Sequence, residues 1–409
     1  MPETRNILFL GVSYAGSGAA HYFSKHILPK LPKSDDITYR AIIIDPSSKW
    51  FLRHASPRAL CSEDLIPTKQ IFLNTEDGFK QYGEAVSFVQ GSAVAWDDKA
   101  RTVQIRKPDG SEETLEYYAL IVATGTKTTS PLFAMQGTQY TENQEALEKI
   151  RKQLPSAKHI VIAGGGPAGV ETAGEIGEMI NGTAGWFSSR PSNPKVEITL
   201  YTASDKLLPV LRPAIAKQAE GYLNRVGVDV VYNTKIASAE ETADGKTKVK
   251  LQDGKEVTAD IYIPATGLIP MTDFVPKHLL DEKNFIKNNA ETMRIDEAGP
   301  RVYAVGDATS TSRKSIIDIL GTVPVMGANL KRDLLAAHEK ADAKPTGDDK
   351  KWKPAPAETQ LVPIGSKGVG ALFGYKLPSV MVWAIKGRNY MVTESGVRDK
   401  LMGADWKKE

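Results

Sequence analysis

The sequence predicts an α/β protein with two parallel-sheet domains and a small C-terminal α+β region. Two glycine-rich turns lead to this prediction, at residues 11–16 and 164–169. Each turn follows an apolar run and opens a helix-like segment. A single turn of this kind recurs by chance, but two in strand–turn–helix context, roughly 150 residues apart, predict two Rossmann-like dinucleotide-binding domains. Two dinucleotides on one chain indicate electron transfer between them.

Composition excludes several other classes of protein. The 409 residues are enough for two or three domains, and the net charge of +3 gives no reason to expect a nucleic-acid partner. No apolar run reaches the length of a membrane span. The chain has one cysteine, Cys61, so a redox-active cysteine pair is excluded and a reducing compartment is favoured. We interpret Cys61 as a partly buried bystander and expect no metal site, because the histidines show no paired spacing.

The first glycine turn has the residues of a phosphate-binding loop. Gly11 permits the tight turn, Gly16 permits close helix packing, and Ser13 replaces the middle glycine. The amides of this turn, which also contains Tyr14 and Ala15, are expected to face a pyrophosphate at the helix N-terminus. Asp45 ends the next predicted strand, where a carboxylate accepts hydrogen bonds from ribose hydroxyls or caps the following turn.

Two later strand ends favour FAD in the first site. One strand ends in Ala123-Thr124-Gly125, and another ends in Gly306-Asp307. In flavoproteins with two dinucleotides, such a Gly-Asp pair places a carboxylate on the ribityl chain, and the glycine lets the backbone approach closely.

The second turn has the intact G-x-G-x-x-G pattern and predicts the NAD(P)H site. Its cofactor-binding residues are Gly164, Gly166, Pro167, Ala168 and Gly169. The following strand carries no acid at residues 201–203, where an NAD-selective site usually has one. Thr202, Ser204 and Lys206 are candidates for binding a 2′-phosphate, whereas Asp205 argues the other way, so both NADPH and NADH remain candidates. Glu171 lies one helix turn further on. It is predicted either to point towards the nicotinamide or to place a negative charge in the first helix turn, where the helix dipole stabilises it.

These motifs together resemble the FAD/NAD(P)-dependent pyridine nucleotide oxidoreductases. Within them, the chain is most similar to the apoptosis-inducing-factor-like, mitochondrion-associated branch that includes the ferroptosis suppressor quinone reductases, and to its fungal members in particular. Residues 55–59 and 265–270 add to the likeness. The resemblance implies that Arg58, Ala93 and Gly267 contribute to the cofactor site and that Glu171 assists hydride delivery.

The resemblance also implies features on the acceptor side of the flavin. Ferroptosis-suppressor-like members carry a lysine near the isoalloxazine; a gapless reading places Phe133 there, and Lys127 is the nearby candidate. A helix with its N-terminus near residues 321–324, including Val323, is expected to stabilise negative charge at flavin N1.

The expected organisation is a split FAD domain at residues 1–125 and 266–330, an inserted NAD(P) domain at 126–265 and a C-terminal region at 331–409. In that region we predict a linker at 340–358, a hairpin at 361–373 and a helical segment at 377–402. The segment is interpreted as a packed interface helix, with peripheral membrane contact as the alternative.

The implied reaction passes hydride from NAD(P)H to FAD and then electrons to an external acceptor. A quinone is the leading candidate for this acceptor. The alternatives are a small protein carrier or a specialised metabolite as acceptor, or a slow redox-signalling role. We expect a cytoplasmic protein, with no leader before the strand that begins by residue 6 and with no N-myristoylation pattern after Met1-Pro2. The resemblance adds the mitochondrial outer membrane or a lipid droplet as a peripheral location. A homodimer and a monomer both remain open.

Overall fold

The computed structural model describes residues 3–32, 34–340, 343, 345–354, 358–392, 399 and 402–404. The strands are β1 (Glu3–Leu10), β2 (Ile37–Asp45), β3 (Lys49–Phe51), β4 (Phe72–Asn74), β5 (Val86–Gln90), β6 (Ser92–Asp97), β7 (Thr102–Arg106), β8 (Glu112–Glu116), β9 (Ala119–Val122), β10 (Thr126–Lys127), β11 (His159–Ala163), β12 (Glu197–Tyr201), β13 (Val228–Val231), β14 (Ile236–Glu241), β15 (Thr247–Leu251), β16 (Glu256–Ala259), β17 (Ile261–Pro264), β18 (Ile269–Pro270), β19 (Val302–Ala304), β20 (Gln360–Ile364), β21 (Lys367–Leu372) and β22 (Tyr375–Lys376). The α-helices are α1 (Tyr14–Tyr22), α2 (Ser56–Ala59), α3 (Thr68–Ile71), α4 (Thr75–Phe79), α5 (Thr141–Gln153), α6 (Pro167–Asn181), α7 (Pro213–Asn224), α8 (Ile316–Glu339) and α9 (Ser379–Val382).

The first nucleotide-binding sheet has the strand order β19-β9-β1-β2-β5, and its neighbouring strands are parallel. Its central strand β1 buries Ile7, Leu8 and Phe9 completely, because helices and loops cover both faces of a parallel sheet. Strand β19 pairs with β9, with Val302 opposite Leu120, so distant parts of the chain complete one sheet.

The second sheet has the order β13-β12-β11-β17, again with parallel pairing. Helix α6 connects β11 to β12, with Pro167 at its first position and Gly182, at φ +70°, immediately after its end. Proline suits the first helical position and glycine suits the left-handed residue that ends a helix. The two parallel sheets confirm the predicted α/β fold class.

The last glycine of each turn lies where the helix crosses its own strand end. A Cβ on Gly16 would lie 1.8 Å from the Gly11 carbonyl oxygen, and one on Gly169 would lie 2.0 Å from that of Gly164. Both distances are far below van der Waals contact. The two turns therefore require glycine at these positions for helix and strand to pack, as the sequence pattern predicted.

The start of helix α8 corrects one prediction. The helix begins at Ile316 rather than near residues 321–324, and Pro324 lies inside it. Ile319 and Val323, one turn apart, are both buried, so packing of this face extends the helix ahead of the proline. Val323 is fully buried in the core and does not sit at a helix N-terminus.

The C-terminal region contains the predicted hairpin, in which β20 and β21 pair antiparallel. The predicted helix over residues 377–402 is much shorter. Helix α9 continues as a π-helical turn over Trp383–Gly387, and Tyr390 and Met391 then adopt positive φ angles of 50° and 58°. Such angles are incompatible with a continuing right-handed helix. Arg398 and Lys400, part of the same prediction, lie outside the described residues.

Candidate functional site

A cleft with about 900 Å³ of empty space opens at the carboxyl ends of the first sheet. Ligands of open α/β sheets bind at this edge. Ten predicted cofactor-binding residues line the cleft: Gly11, Ser13, Tyr14, Ala15, Asp45, Ala93, Ala123, Thr124, Gly125 and Asp307. Gly16 and Gly306 do not line the cleft, but a Cβ on Gly16 would collide with Gly11 and one on Gly306 would collide with Ala15, and both of those residues line it. The sequence did not predict Arg53, Met135 and Ile319, which also line it.

Asp45 holds the first glycine turn in place. One carboxylate oxygen accepts a hydrogen bond from the Val12 amide at 2.9 Å, and the other accepts one from the Ser47 amide at 2.9 Å. Burial raises the pKa of Asp45 to about 6, and these two amides oppose the rise. The carboxylate thus caps its own turn and orients the phosphate-binding loop from the end of β2.

Asp307 also lines the cleft. Its Oδ2 accepts a hydrogen bond from Arg53 Nη2 at 2.6 Å, and only 7% of the residue is exposed. Gly306 has φ +81°, and a Cβ there would lie 2.6 Å from the Cβ of Ala15. The glycine therefore lets the β19 end approach helix α1, which brings the Asp307 carboxylate to the cleft.

The residues of this cleft fit FAD. The glycine turn presents backbone amides at the start of α1, where the helix dipole favours a pyrophosphate. A Cβ on Gly125 would meet no atom within 4 Å, so the backbone at this wall faces open space that a flavin ring system can occupy. The carboxylates of Asp45, which is half-buried, and of Asp307, which is buried, match the hydroxyl donors of the ribose and the ribityl chain.

The second glycine turn is equally open. A Cβ on Gly166 would meet no atom within 4 Å, and helix α6 begins at the next residue. Its companions Gly164, Pro167, Ala168 and Gly169 form the rest of this turn and the first turn of α6. The geometry matches a second pyrophosphate site at a helix N-terminus.

The three residues predicted to face a 2′-phosphate, Thr202, Ser204 and Lys206, differ in their exposure and in whether their polar groups are already hydrogen-bonded. Lys206 donates from Nζ to the Leu211 carbonyl oxygen at 2.7 Å, so its ammonium is engaged by the backbone. Thr202 is 4% exposed, and its hydroxyl oxygen accepts a hydrogen bond from the Ser204 amide at 3.3 Å. Ser204 itself is exposed. The structure leaves Ser204 as the accessible member of the three.

Glu171 is buried on α6 and forms an ion pair with the C-terminal region. Lys386 Nζ lies 2.5 Å from Glu171 Oε1, and the Glu171 side chain is 3% exposed. Burial raises the pKa of Glu171 to about 7, although the Lys386 ammonium opposes this rise. A carboxyl group with a pKa near neutrality can exchange a proton at physiological pH.

A second buried ion pair lies one helix turn further along α6. Arg58 donates from Nε and Nη2 to Glu175 at 2.7 and 2.9 Å and from Nη1 to the Gly387 carbonyl at 2.5 Å. Its guanidinium lies 4.7 Å from the centre of the Tyr390 ring, and the Tyr390 hydroxyl donates to Glu175 at 3.1 Å. Arg58 does not line the cleft. It instead joins α2, α6 and the C-terminal region.

Tyr14, which lines the cleft, is paired with His54. The Tyr14 hydroxyl lies 2.5 Å from His54 Nδ1. Burial lowers the pKa of His54 to about 3, and the positive charge of Lys386 acts in the same direction. The imidazole is therefore neutral at physiological pH, so it serves as a hydrogen-bond partner for Tyr14 rather than as a cation.

Three other predicted positions lie away from the cleft lining. Lys127 lies in β10, which pairs with β18, and Gly267 lies at an exposed turn with φ +83°. Phe133 is 6% exposed in the core. The lysine that does contact Glu171, Lys386, lies 215 residues away in the chain, and no local motif marks it.

The described residues hold neither a candidate metal centre nor a helix suited to span a membrane. They contain no group of three or more His, Cys, Asp or Glu side chains that could hold a metal ion. None of their helices combines the length and the hydropathy that crossing a bilayer requires.

Two parallel sheets, each with a glycine turn opening onto a helix N-terminus, define a flavoprotein with two dinucleotide sites. The chain belongs to the pyridine nucleotide-disulphide oxidoreductase family, whose model matches residues 5–326. It is therefore an NAD(P)H-dependent oxidoreductase with FAD as its cofactor, which confirms both predicted cofactor types.

Comparison with individual proteins agrees with this assignment. The chain is 45% identical to oxidoreductase phnG of Penicillium herquei over 94% of each chain. It is 24% identical to ferroptosis suppressor protein 1 of Xenopus laevis, covering 96% of this chain and 95% of that protein. Its fold matches NDH2 of Plasmodium falciparum, solved in complex with NADH, with a TM-score of 0.66, 15% identity and 99% coverage of both chains. The predicted resemblance to fungal and ferroptosis-suppressor-like members is confirmed.

Proposed function

We propose that this protein oxidises NADH or NADPH and passes the electrons through FAD to a quinone-type acceptor. The cysteine content carries the proposal, because Cys61 is the single cysteine of the chain and is buried. Burial raises the pKa of its thiol, which disfavours the reactive thiolate. No second cysteine is present to form a redox-active pair, so the electrons must leave to an external acceptor.

The surface beside the Glu171–Lys386 ion pair favours an apolar acceptor. Val380, Met381 and Ile385 are exposed on the turns that position Lys386. Lys376 and Arg388 are also exposed in this stretch, and such cations suit an acidic electron carrier, which is the second candidate acceptor. An apolar surface instead suits an acceptor with a hydrophobic ring or tail, such as a quinone.

The residues have distinct proposed roles. Bound FAD would supply the hydride-accepting and electron-transferring chemistry. Asp45 holds the phosphate-binding turn, Asp307 binds the ribityl chain and the second glycine turn binds the NAD(P)H pyrophosphate. Glu171 guides the nicotinamide and holds or releases a proton at its carboxyl group, while Lys386 stabilises the carboxylate form. Lys127 stays the candidate for the acceptor-side lysine near the isoalloxazine, a role separate from that of Lys386, which contacts Glu171.

Anaerobic stopped-flow spectroscopy on the purified flavoprotein tests this proposal. We expect NADH or NADPH to bleach the visible flavin band rapidly and a short-chain ubiquinone to restore it rapidly. Running the two nucleotides in parallel identifies the preferred donor. Rapid bleaching without reoxidation by quinone would contradict the proposal that a quinone is the acceptor. Failure of both nucleotides to bleach the flavin would contradict the proposal that NADH or NADPH is the electron donor.

A further inference from the structure

Two consecutive residues, Arg53 and His54, each hold a side chain that lines the FAD cleft. Arg53 Nη2 donates to Asp307 Oδ2 at 2.6 Å, and His54 Nδ1 lies 2.5 Å from the Tyr14 hydroxyl oxygen. Asp307 and Tyr14 both line the cleft but come from different elements, since Tyr14 begins α1 and Asp307 follows β19. One short segment of the chain therefore contacts cleft residues from two separate elements.

The segment that carries this pair is anchored in the core. The residues Arg53–Ala55 form a 3₁₀ turn between β3 and α2, and the side chains of Leu52 and Ala55 are completely buried. The Leu52 amide donates to the Ile71 carbonyl at 2.8 Å, and the Ala55 amide donates to the Leu52 carbonyl at 3.0 Å. The backbone is thus hydrogen-bonded on both sides of the pair, which fixes the point from which the two side chains extend.

The ion pair leaves part of the Asp307 carboxylate for a ligand. The side chains of Arg53 and Asp307 are 32% and 8% exposed, so the carboxylate is largely shielded from water. Among the described residues, Oδ2 accepts the hydrogen bond from Arg53 and Oδ1 accepts none. Because both oxygens of a carboxylate accept hydrogen bonds, Arg53 can fix the orientation of the group while Oδ1 receives a ribityl hydroxyl.

His54 acts on Tyr14 as a neutral group. Burial lowers the pKa of His54 to about 3; the charges of Lys386 and Arg53 act in the same direction, and the Tyr390 backbone opposes them. Burial raises the pKa of Tyr14, against the charge of Arg53. Both groups are therefore uncharged at physiological pH. Their hydrogen bond fixes the Tyr14 ring at the start of α1, beside the phosphate-binding turn.

We propose that Arg53 and His54 are positioning residues for FAD: Arg53 presents Asp307 to the ribityl chain, and His54 holds Tyr14 at the wall of the cleft that receives the cofactor. Side chains that are already held in place do not have to be ordered when a ligand binds, which strengthens binding. Neither residue belongs to the glycine turns or strand ends that predicted the cofactor site. This role is independent of the electron acceptor.

Release of FAD from the purified holoprotein tests this role, with neither NAD(P)H nor quinone present. The rise of flavin fluorescence after dilution gives the release rate. We expect Arg53→Met to accelerate release at least about tenfold, because it leaves the Asp307 carboxylate without its cation. His54→Leu should accelerate release about fivefold, because the Tyr14 side chain is then no longer held. Arg53→Lys, which keeps the charge, and His54→Asn, which keeps a polar atom near the place of Nδ1, should give intermediate rates.

Matched controls come from residues outside the cleft lining. His159 resembles His54, since its Nδ1 lies 2.8 Å from the Thr258 carbonyl oxygen and the Nε2 atoms of both imidazoles are buried without a hydrogen-bond partner among the described residues. Arg190 resembles Arg53 in forming an ion pair, with Asp229. His159→Leu and Arg190→Met should both keep the wild-type release rate, because neither residue lines the cleft.

Double-variant cycles separate positioning from a general loss of structure. If Arg53 acts through Asp307, adding Arg53→Met to Asp307→Ala should change the release rate less than about twofold, and His54→Leu should behave in the same way when added to Tyr14→Phe. Effects that multiply in a cycle would overturn the positioning role of that residue, since they would show that it acts independently of its partner.

Wild-type release rates in both Arg53→Met and His54→Leu would overturn the whole proposal. If either of these variants does not fold, the same cycle is measured with Arg53→Lys or His54→Asn. The smaller acceleration of that variant should again disappear when the partner is replaced, and its persistence would overturn the positioning role.

Discussion

Glu171 and Lys386 form a buried ion pair between helix α6 and the C-terminal region, with Nζ 2.5 Å from Oε1. The pair brings a cation to the carboxyl group that the sequence assigns to the nicotinamide site. Because burial and the ammonium act in opposite directions on the carboxyl group, its pKa of about 7 lies where both protonation states are populated. The C-terminal region thereby takes part in setting the charge of the candidate site.

This carboxyl group should make stability depend on pH. The folded pKa of Glu171 lies above the usual value of 4.5, so the folded state binds the extra proton. The associated stabilisation is complete below about pH 4.5 and is lost by about pH 7, and amounts to roughly 3 kcal/mol of unfolding free energy. We expect Glu171→Gln to lack this decrease of the unfolding free energy with pH, measured by denaturant unfolding between about pH 5 and about pH 8. An unchanged slope in Glu171→Gln would contradict the assignment.

Replacing the lysine should move the titration of its partner. In Lys386→Met, Glu171 loses its neighbouring positive charge, so its pKa should rise by at least about one unit. The rate of flavin bleaching by NAD(P)H, measured against pH by anaerobic stopped-flow, should show the corresponding upward shift of its inflection. Lys386→Arg keeps the charge and is the matched control. If Lys386→Met and Lys386→Arg both show the wild-type inflection in the bleaching rate, the charge of Lys386 does not affect the pKa of Glu171.

The Arg58–Glu175 ion pair should stabilise the fold strongly. Its side chains are 12% and 5% exposed, so Arg58→Ala leaves a buried carboxylate without its cation. We expect a loss of about 3–5 kcal/mol in denaturant unfolding. The exposed Arg190–Asp229 pair offers the control, and Arg190→Ala should cost less than about 1 kcal/mol. Equal losses of unfolding free energy in the two variants would show that the buried Arg58–Glu175 pair does not stabilise the fold more than an exposed pair.

Asp307 should govern retention of FAD. Asp307→Ala removes the carboxylate from the cleft wall and leaves Arg53 without its partner. Loss of a charged hydrogen bond to the ribityl chain should weaken FAD binding at least about tenfold, measured as the flavin-to-protein ratio after dialysis. Asp229→Ala, on a strand of the second sheet and outside the cleft lining, should keep its flavin. Full occupancy in Asp307→Ala would remove the case for this contact.

Lys206 should not discriminate between the two nucleotides. Its ammonium already donates to the Leu211 carbonyl, so Lys206→Ala should change kcat/KM for NADH and NADPH by similar factors. Steady-state kinetics with a soluble quinone measures both. A selective loss for NADPH would show that the ammonium turns to a 2′-phosphate when the nucleotide binds.

The sequence predicted the parts of the fold that depend on short-range constraints. The glycine turns can be recognised in the sequence because a side chain at Gly16 or Gly169 would collide with the carbonyl of its own turn. Glycine is therefore required at the same spacing in both turns. The strand-end residues Asp45 and Asp307 were found for the same reason, since each follows an apolar run directly. The predicted start of α8 was wrong because buried packing of Ile319 and Val323 outweighs the usual position of a proline.

By itself, then, the sequence determined the α/β class, the two dinucleotide turns and the lack of a cysteine pair, all of which follow from residue identity and local spacing. Only the tertiary structure decided the partners of Glu171 and Arg58, which lie 215 and 117 residues away in the chain. Chain folding also decided that Lys386 points inward while Val380 and Ile385 face solvent. Burial of an ion pair and exposure of an apolar face depend on which elements pack together, and no spacing within the sequence encodes that arrangement.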